Sequence, residues 1–181
     1  MSVFTNPAGR AADAAAKYTQ ALLELLGERD PLAVLRELPV ALRAAIDGLS
    51  AAELARPEVP GKWSIQHVVD HLTDQETVAA YRWRSVIAED EPELRGYDQD
   101  RWAARLRYGA APAATVLAEL ETLRRRNLRL LEALDDAEFE RVGQHTERGP
   151  ESVLRIMQLT AGHDLVHRRQ IARILKALGK A

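Results

Sequence analysis

Cysteine is absent from this chain of 181 residues. Its absence excludes a disulfide framework, thiolate metal ligation and any cysteine nucleophile supplied by the chain itself. Aromatic residues make up only 5%, and neither charge dominates: 25 Lys and Arg stand against 27 Asp and Glu, a formal net charge of −2. That balance supplies no long-range field for nucleic acid and no attraction to an anionic membrane, so neither is expected as a partner. Long hydrophobic runs are also missing. Stretches such as Ala21-Leu22-Leu23 fall far short of the roughly 20 residues a membrane span needs. Met1 to Arg10 contains no apolar segment of signal-peptide type, and the expected compartment is the cytoplasm.

What is present is a globular balance of 46% hydrophobic and 29% charged residues, rich in Ala, Leu, Arg and Glu. These are good helix formers, and no stretch alternates cleanly over the length of a strand. The chain is expected to be all-α: one domain over 1–181, with 1–30 as an N-terminal helical extension. Asn6-Pro7 reads as a helix start and Gly27 as its end. Asp30-Pro31 starts another helix, with Leu35, Leu38, Leu42, Ile46 and Leu49 at helical spacing and Pro39 as a kink or restart. Pro57 to Lys62 is a turn. Ser64 then caps a long helix whose stripe is Ile65, Val68, Val69, Leu72, Ala79, Trp83 and Val86. A connection over 90–109 carries a short helix near Asp98 to Leu106. A third long helix, 112–134, turns Val116, Leu120, Leu123, Leu130, Leu131 and Leu134 inward, and its Arg124-Arg125-Arg126 run reads as a solvated face. A last helix runs from Ser152 to Leu178. Together these predict a four-helix bundle. The longer connections after the second and third helices leave room for a crossover.

The last helix carries the informative irregularity. His163, Asp164 and His167 occupy the sector of the wheel that Val153, Ile171 and Leu178 mark as core. Buried imidazoles and a carboxylate without partners are destabilising by several kcal/mol, so something must offset them. His163 and His167, at i and i+4, place two rings on one side of a helix, close enough to share a divalent ion. A third ligand is available in His71, at the edge of the stripe of the helix starting at Ser64. His67 should reach water or cap its helix start, and His145 is expected on the exposed surface. Glu76 and Asn127 also sit where core residues belong, either as a buried hydrogen-bonded network, with Glu76 against an arginine, or as pocket wall. Asp164 could orient an imidazole.

The segment Gly61-Lys62-Trp63-Ser64-Ile65, continuing to His71-Leu72 and Asp74-Gln75-Glu76, resembles the Trp-Ser…His-Leu…Glu signature of the DinB/YfiT-like superfamily. Tyr81-Arg82 and Gly96-Tyr97-Asp98 fit the same pattern. His163-Asp164-Leu165-Val166-His167, running on to Gln170-Ile171, resembles that family's closing helix. The blocks span roughly Leu35 to Leu178. The resemblance implies a four-helix bundle with a divalent metal held by His71, His163 and His167; zinc or nickel is the expected ion, and Glu76 and Asp164, singled out by their places in the stripes, are supporting candidates. His67 departs from the acidic residue the family often has there.

Members of the superfamily include S-transferases using low-molecular-weight thiols, a thiol-dependent isomerase and proteins called metal-dependent hydrolases. The expected activity is therefore thiol S-transfer or a related small-molecule detoxification. The alternatives are a stress-related bundle with a structural metal, or a hydrolase. The implied cofactors are the ion and a low-molecular-weight thiol, and the implied partners are a small-molecule substrate and a second copy in a homodimer. Arg82 or Arg148 could meet a carboxylated thiol, or else serve as surface ion-pair partners.

Overall fold

Capping side chains mark where the long helices begin. Asp30 accepts the amides of Leu32 and Ala33, and Pro31 opens α2 (Pro31–Ile46). Ser64 accepts the His67 amide at the head of α4 (Ile65–Ala88), and Ser152 accepts that of Arg155 at the head of α8 (Val153–Ala177). These bonds satisfy donors that the first helical turn leaves orphaned. α2 runs unbroken through Pro39, so that proline marks no restart. The protein is described here by a computed structural model covering residues 12–180; the helix start expected at Asn6-Pro7 lies outside them.

Before α2 comes α1 (Ala12–Leu26), which ends at Gly27 in the left-handed conformation with φ 59°. The short helices α3 (Ala51–Leu54) and α7 (Asp136–Phe139) each begin with a reciprocal capping box. α5 (Gln99–Arg105) is the expected short helix, and α6 (Ala113–Leu131) is the remaining long one.

The bundle consists of α2, α4, α6 and α8. α2 packs on α6 and α8, and α4 packs on the same two. Helices consecutive in the chain, α2 with α4 and α6 with α8, thus stand at opposite corners. The diagonal steps follow α2 and α6. Of the two connections with room for a crossover, the one after α4 joins neighbours and the one after α6 makes a diagonal step. α1 lies outside the ring, against α8. Gly162 marks that contact: a Cβ there would lie 2.5 Å from the Leu22 carbonyl oxygen.

The long connections are more than loops. β1 (Glu93–Leu94) pairs in parallel with β2 (Val142–His145), which forms an antiparallel hairpin with β3 (Gly149–Ser152). Strands of two and four residues are too short to show as alternation. This small sheet also corrects the placement of His145, which is 3% exposed rather than on the surface. Its Nδ1 accepts the Glu147 amide at 3.1 Å.

The apolar interior falls into two clusters. One includes Leu35, Ala79, Trp83, Leu131, Ile156 and Leu165. The other includes Leu38, Leu42, Val68, Leu72, Leu120 and Ile171. Between them, on three of the four bundle helices, the sequence numbers bracket a layer of polar positions: 76 lies between Leu72 and Ala79, 124 and 127 between Leu120 and Leu131, and 167 between Leu165 and Ile171.

A histidine triad beside a buried ion-pair layer

Arg124 is the centre of that layer and is 2% exposed, which overturns its reading as part of a solvated face. Its neighbours Arg125 and Arg126 are exposed. The buried stripe of α6 is Val116, Leu117, Leu120, Arg124, Asn127 and Leu131, so Arg124 takes the inward position assigned to Leu123. Its guanidinium donates from Nε to Glu76 Oε2 at 2.9 Å. Nη1 donates to Asp164 Oδ2 at 2.8 Å and to the Leu35 carbonyl at 2.7 Å. Asn127 Nδ2 donates to Glu76 Oε1 at 2.7 Å, and Arg84 donates to Asn127 Oδ1 at 2.8 Å. One guanidinium therefore ties all four bundle helices together. Burial raises the Asp164 carboxyl to about 6 against the opposing pull of Arg124.

One face of this layer holds three imidazoles. His71 comes from α4 and His163 and His167 from α8. His71 Nε2 and His167 Nε2 each lie 3.1 Å from His163 Nε2, and the three ligand atoms fall within 4.8 Å of one another. Hydrogen bonding alone does not account for this convergence. A ring nitrogen carries either one proton or one lone pair, so His163 Nε2 can complete a bond to only one of its two neighbours. A cation between them satisfies all three lone pairs. The observed 3.1 Å is also close to the roughly 3.3 Å that separates two nitrogens bound to one tetrahedral ion at about 2.0–2.1 Å.

The protonation state suits ligation. Burial is the largest cause that pushes His71 and His163 well below the ordinary imidazole value. Burial also lowers His167 to about 4. All three are neutral at pH 7, the form that donates a lone pair. His167 Nδ1 lies 2.8 Å from Gln170 Oε1. That acceptor holds the proton on Nδ1 and leaves Nε2 bare. Trp63 covers the triad from another side, its ring centroid 4.9 Å from His71 and 6.5 Å from His167, stacked on the latter.

Glu76 and Asp164, the supporting candidates, are brought into the neighbouring layer. Neither hydrogen-bonds to a triad nitrogen; both are held by Arg124. His67 lies at its helix start, with Nδ1 2.7 Å from Oγ of Ser64, the residue that caps the helix.

Above the triad lies a cavity of about 60 Å³ whose wall includes His71, His163, Gln75, Arg82, Tyr97 and Arg148. Tyr18, Thr19 and Leu22 of α1 close it, a role that no local pattern in the sequence announced. Arg82 is 6% exposed, so it is no surface ion-pair partner. Arg148 grips Glu151 with two bonds of 2.6 and 2.8 Å.

A sequence model described as the DinB superfamily matches residues 35–171, a span that contains the triad and leaves out α1. A protein of Geobacillus thermodenitrificans (strain NG80-2), provisionally named a metal-dependent hydrolase, is 33% identical over 151 residues, covering 82% of this chain and 84% of its own. A similarly named protein of Geobacillus kaustophilus (strain HTA426) is 31% identical over 149 residues, with the same coverage of 82% and 84%. Among solved structures, YfiT from Bacillus subtilis aligns with a TM-score of 0.77 and 26% identity, over 83% of this chain and 87% of that one. That protein is described as a probable metal-dependent hydrolase with an unusual four-helix bundle topology.

Proposed function

The chain belongs to the DinB superfamily, and on that footing we propose that it is a metalloenzyme acting on a small molecule, with His71, His163 and His167 holding one divalent ion, zinc or nickel. The observation that carries this is the convergence of three neutral imidazoles, with His71 and His167 Nε2 each 3.1 Å from His163 Nε2 and all three ligand atoms within 4.8 Å, beside a cavity that His71 and His163 help to line. A divalent ion held by three imidazoles keeps a position open, where it lowers the pKa of a water or thiol and supplies a nucleophile at neutral pH.

Of the two nucleophiles, a thiol fits the surrounding residues better. A hydrolytic route through water usually draws on a nearby carboxylate to take the proton. Glu76 and Asp164, the acids of the layer beside the triad, are both committed to Arg124, which leaves Glu147 on the cavity wall as the carboxylate such a route would use. In thiol transfer the sulfur arrives with a cosubstrate, because the chain has no cysteine. Sulfur forms a bond to the electrophile's carbon, and the leaving group departs with the electron pair. The cavity residues orient the two reactants, and Tyr18, Thr19 and Leu22 limit access of bulk water. The names of the Geobacillus relatives favour hydrolysis as the second reading.

Protein purified without a histidine tag should carry about one divalent ion per chain, the capacity of one three-imidazole site, and His163→Ala should lose most of it. Unchanged metal in that variant, by elemental analysis, would remove the ligand assignment. Loaded protein is then offered a low-molecular-weight thiol with an aryl halide and, separately, an activated ester without thiol. Turnover of the first pair alone supports transfer, and turnover of the ester alone supports hydrolysis. Silence in both with the metal site full leaves a structural metal.

A further inference from the structure

We propose that Arg82 forms an anion subsite in the cavity above the triad, and that the substrate taken there carries a carboxylate, which Arg82 binds while the reacting group lies toward His71 and His163. This rests on reading the cavity as the substrate site. Arg82 is 6% exposed and forms part of the cavity wall together with two of the three histidines. A guanidinium presents five N–H donors in a planar fork. Here Nη2 donates to the Arg95 carbonyl at 2.6 Å, and among the described residues no carboxylate lies within ion-pair distance of Arg82.

A buried cation without a direct counter-ion is destabilising, and the nearby acids Glu151 and Glu147 offset that only in part. Arg148, on the same wall, adds positive charge, and its own charge is answered by the bidentate Glu151. Burial, followed by repulsion from Arg148, lowers Arg82 to about 10, so it remains charged at neutral pH. Holding the Arg95 carbonyl explains one arm of the fork, and among the described residues no other hydrogen-bond partner of Arg82 is found. A carboxylate matches that remaining geometry. A phosphate dianion matches less well, because Arg82 is the single uncommitted cation among the described cavity residues and Glu147 is also on the wall.

The test uses metal-free protein, so that it reads the chain's own residues. Propionate, its neutral isostere propionamide, and inorganic phosphate are titrated by calorimetry into wild type, Arg82→Met and Arg82→Lys. Wild type should bind propionate about tenfold more tightly than propionamide, the scale of charge-assisted hydrogen bonds. Arg82→Met should bring the two within about twofold, and Arg82→Lys should retain part of the preference. Zinc uptake by equilibrium dialysis should match wild type in both variants, which shows that the fold is kept. If Arg82→Met fails to fold, Arg82→Lys decides: an undiminished preference overturns the proposal. Equal binding of propionate and propionamide by wild type, a preference surviving in Arg82→Met, or tighter binding of phosphate also overturns it. Because no metal is present, a failed ligand assignment at His163→Ala leaves this result standing. Failure here likewise leaves the metal assignment standing.

Discussion

Arg124 illustrates how much one side chain can decide. It is the only cation in the layer that touches both Glu76 and Asp164 among the described residues. Arg124→Met would strand two carboxylates in the interior. Removing one partner of a buried ion pair typically destabilises by about 3–5 kcal/mol, so urea unfolding should show a loss of that order. Adding Glu76→Gln to Arg124→Met should restore part of it, since one stranded charge is gone. Gln170 acts on a smaller scale, through the His167 Nδ1 proton. Gln170→Ala should weaken zinc binding about 10–100-fold, the usual effect of losing a partner that orients a ligand. Its unfolding midpoint without metal should stay near that of wild type.

At the scale of elements, the contact between α1 and α8 gives the cavity its far wall. Gly162 permits it by having no side chain where the Leu22 carbonyl passes. The obstruction is backbone, which cannot swing aside as a flexible side chain can. Gly162→Ala should therefore push α1 off α8, at a cost of about 1–3 kcal/mol typical of overpacking. Amide exchange in α1 should quicken well before exchange in α2, α4 and α6 changes. The hairpin of β2 and β3 has a different task. It carries His145, Glu147, Arg148 and Glu151 to the cavity side of the bundle and leads directly into the Ser152 cap of α8.

For the whole molecule, the buried histidines set the response to acid. His71 and His163 are shifted well below 6.5, and His167 and His145 are lowered to about 4, with burial the largest cause in each. Between pH 6.5 and 4 the unfolded chain takes up these protons and the folded chain does not. Stability is thus full above 6.5 and falls as the pH drops toward 4. Asp164, raised to about 6, acts in the opposite sense, binding its proton in the folded state first. Asp74, also raised by burial, acts with it, and four histidines against these two carboxyls leave a net loss. Metal-free protein should show a lower urea midpoint at pH 5 than at pH 7. Saturating zinc should raise the midpoint at pH 7, because binding to the folded state alone adds stability. His145→Asn should reduce the difference between the two pH values.

The helices and their caps were legible along the chain because helix formation is written locally: Asp30-Pro31, Ser64 and Ser152 act on amides two or three residues away. The i, i+4 spacing of His163 and His167 was legible for the same reason, and His71 stood out as a polar residue on a core-facing edge. The diagonal topology was not, since periodicity shows which face of a helix is buried and not which neighbour buries it. Arg124 looked like surface because a run of three arginines is ordinarily solvated; its burial depends on Glu76 and Asp164 arriving from two other helices. His145 and Tyr18 acquired their places only through the sheet and through α1 packing on α8. Local propensity acts over a few residues, whereas the cavity is made of side chains from Tyr18 to His163, so only their packing together could define it.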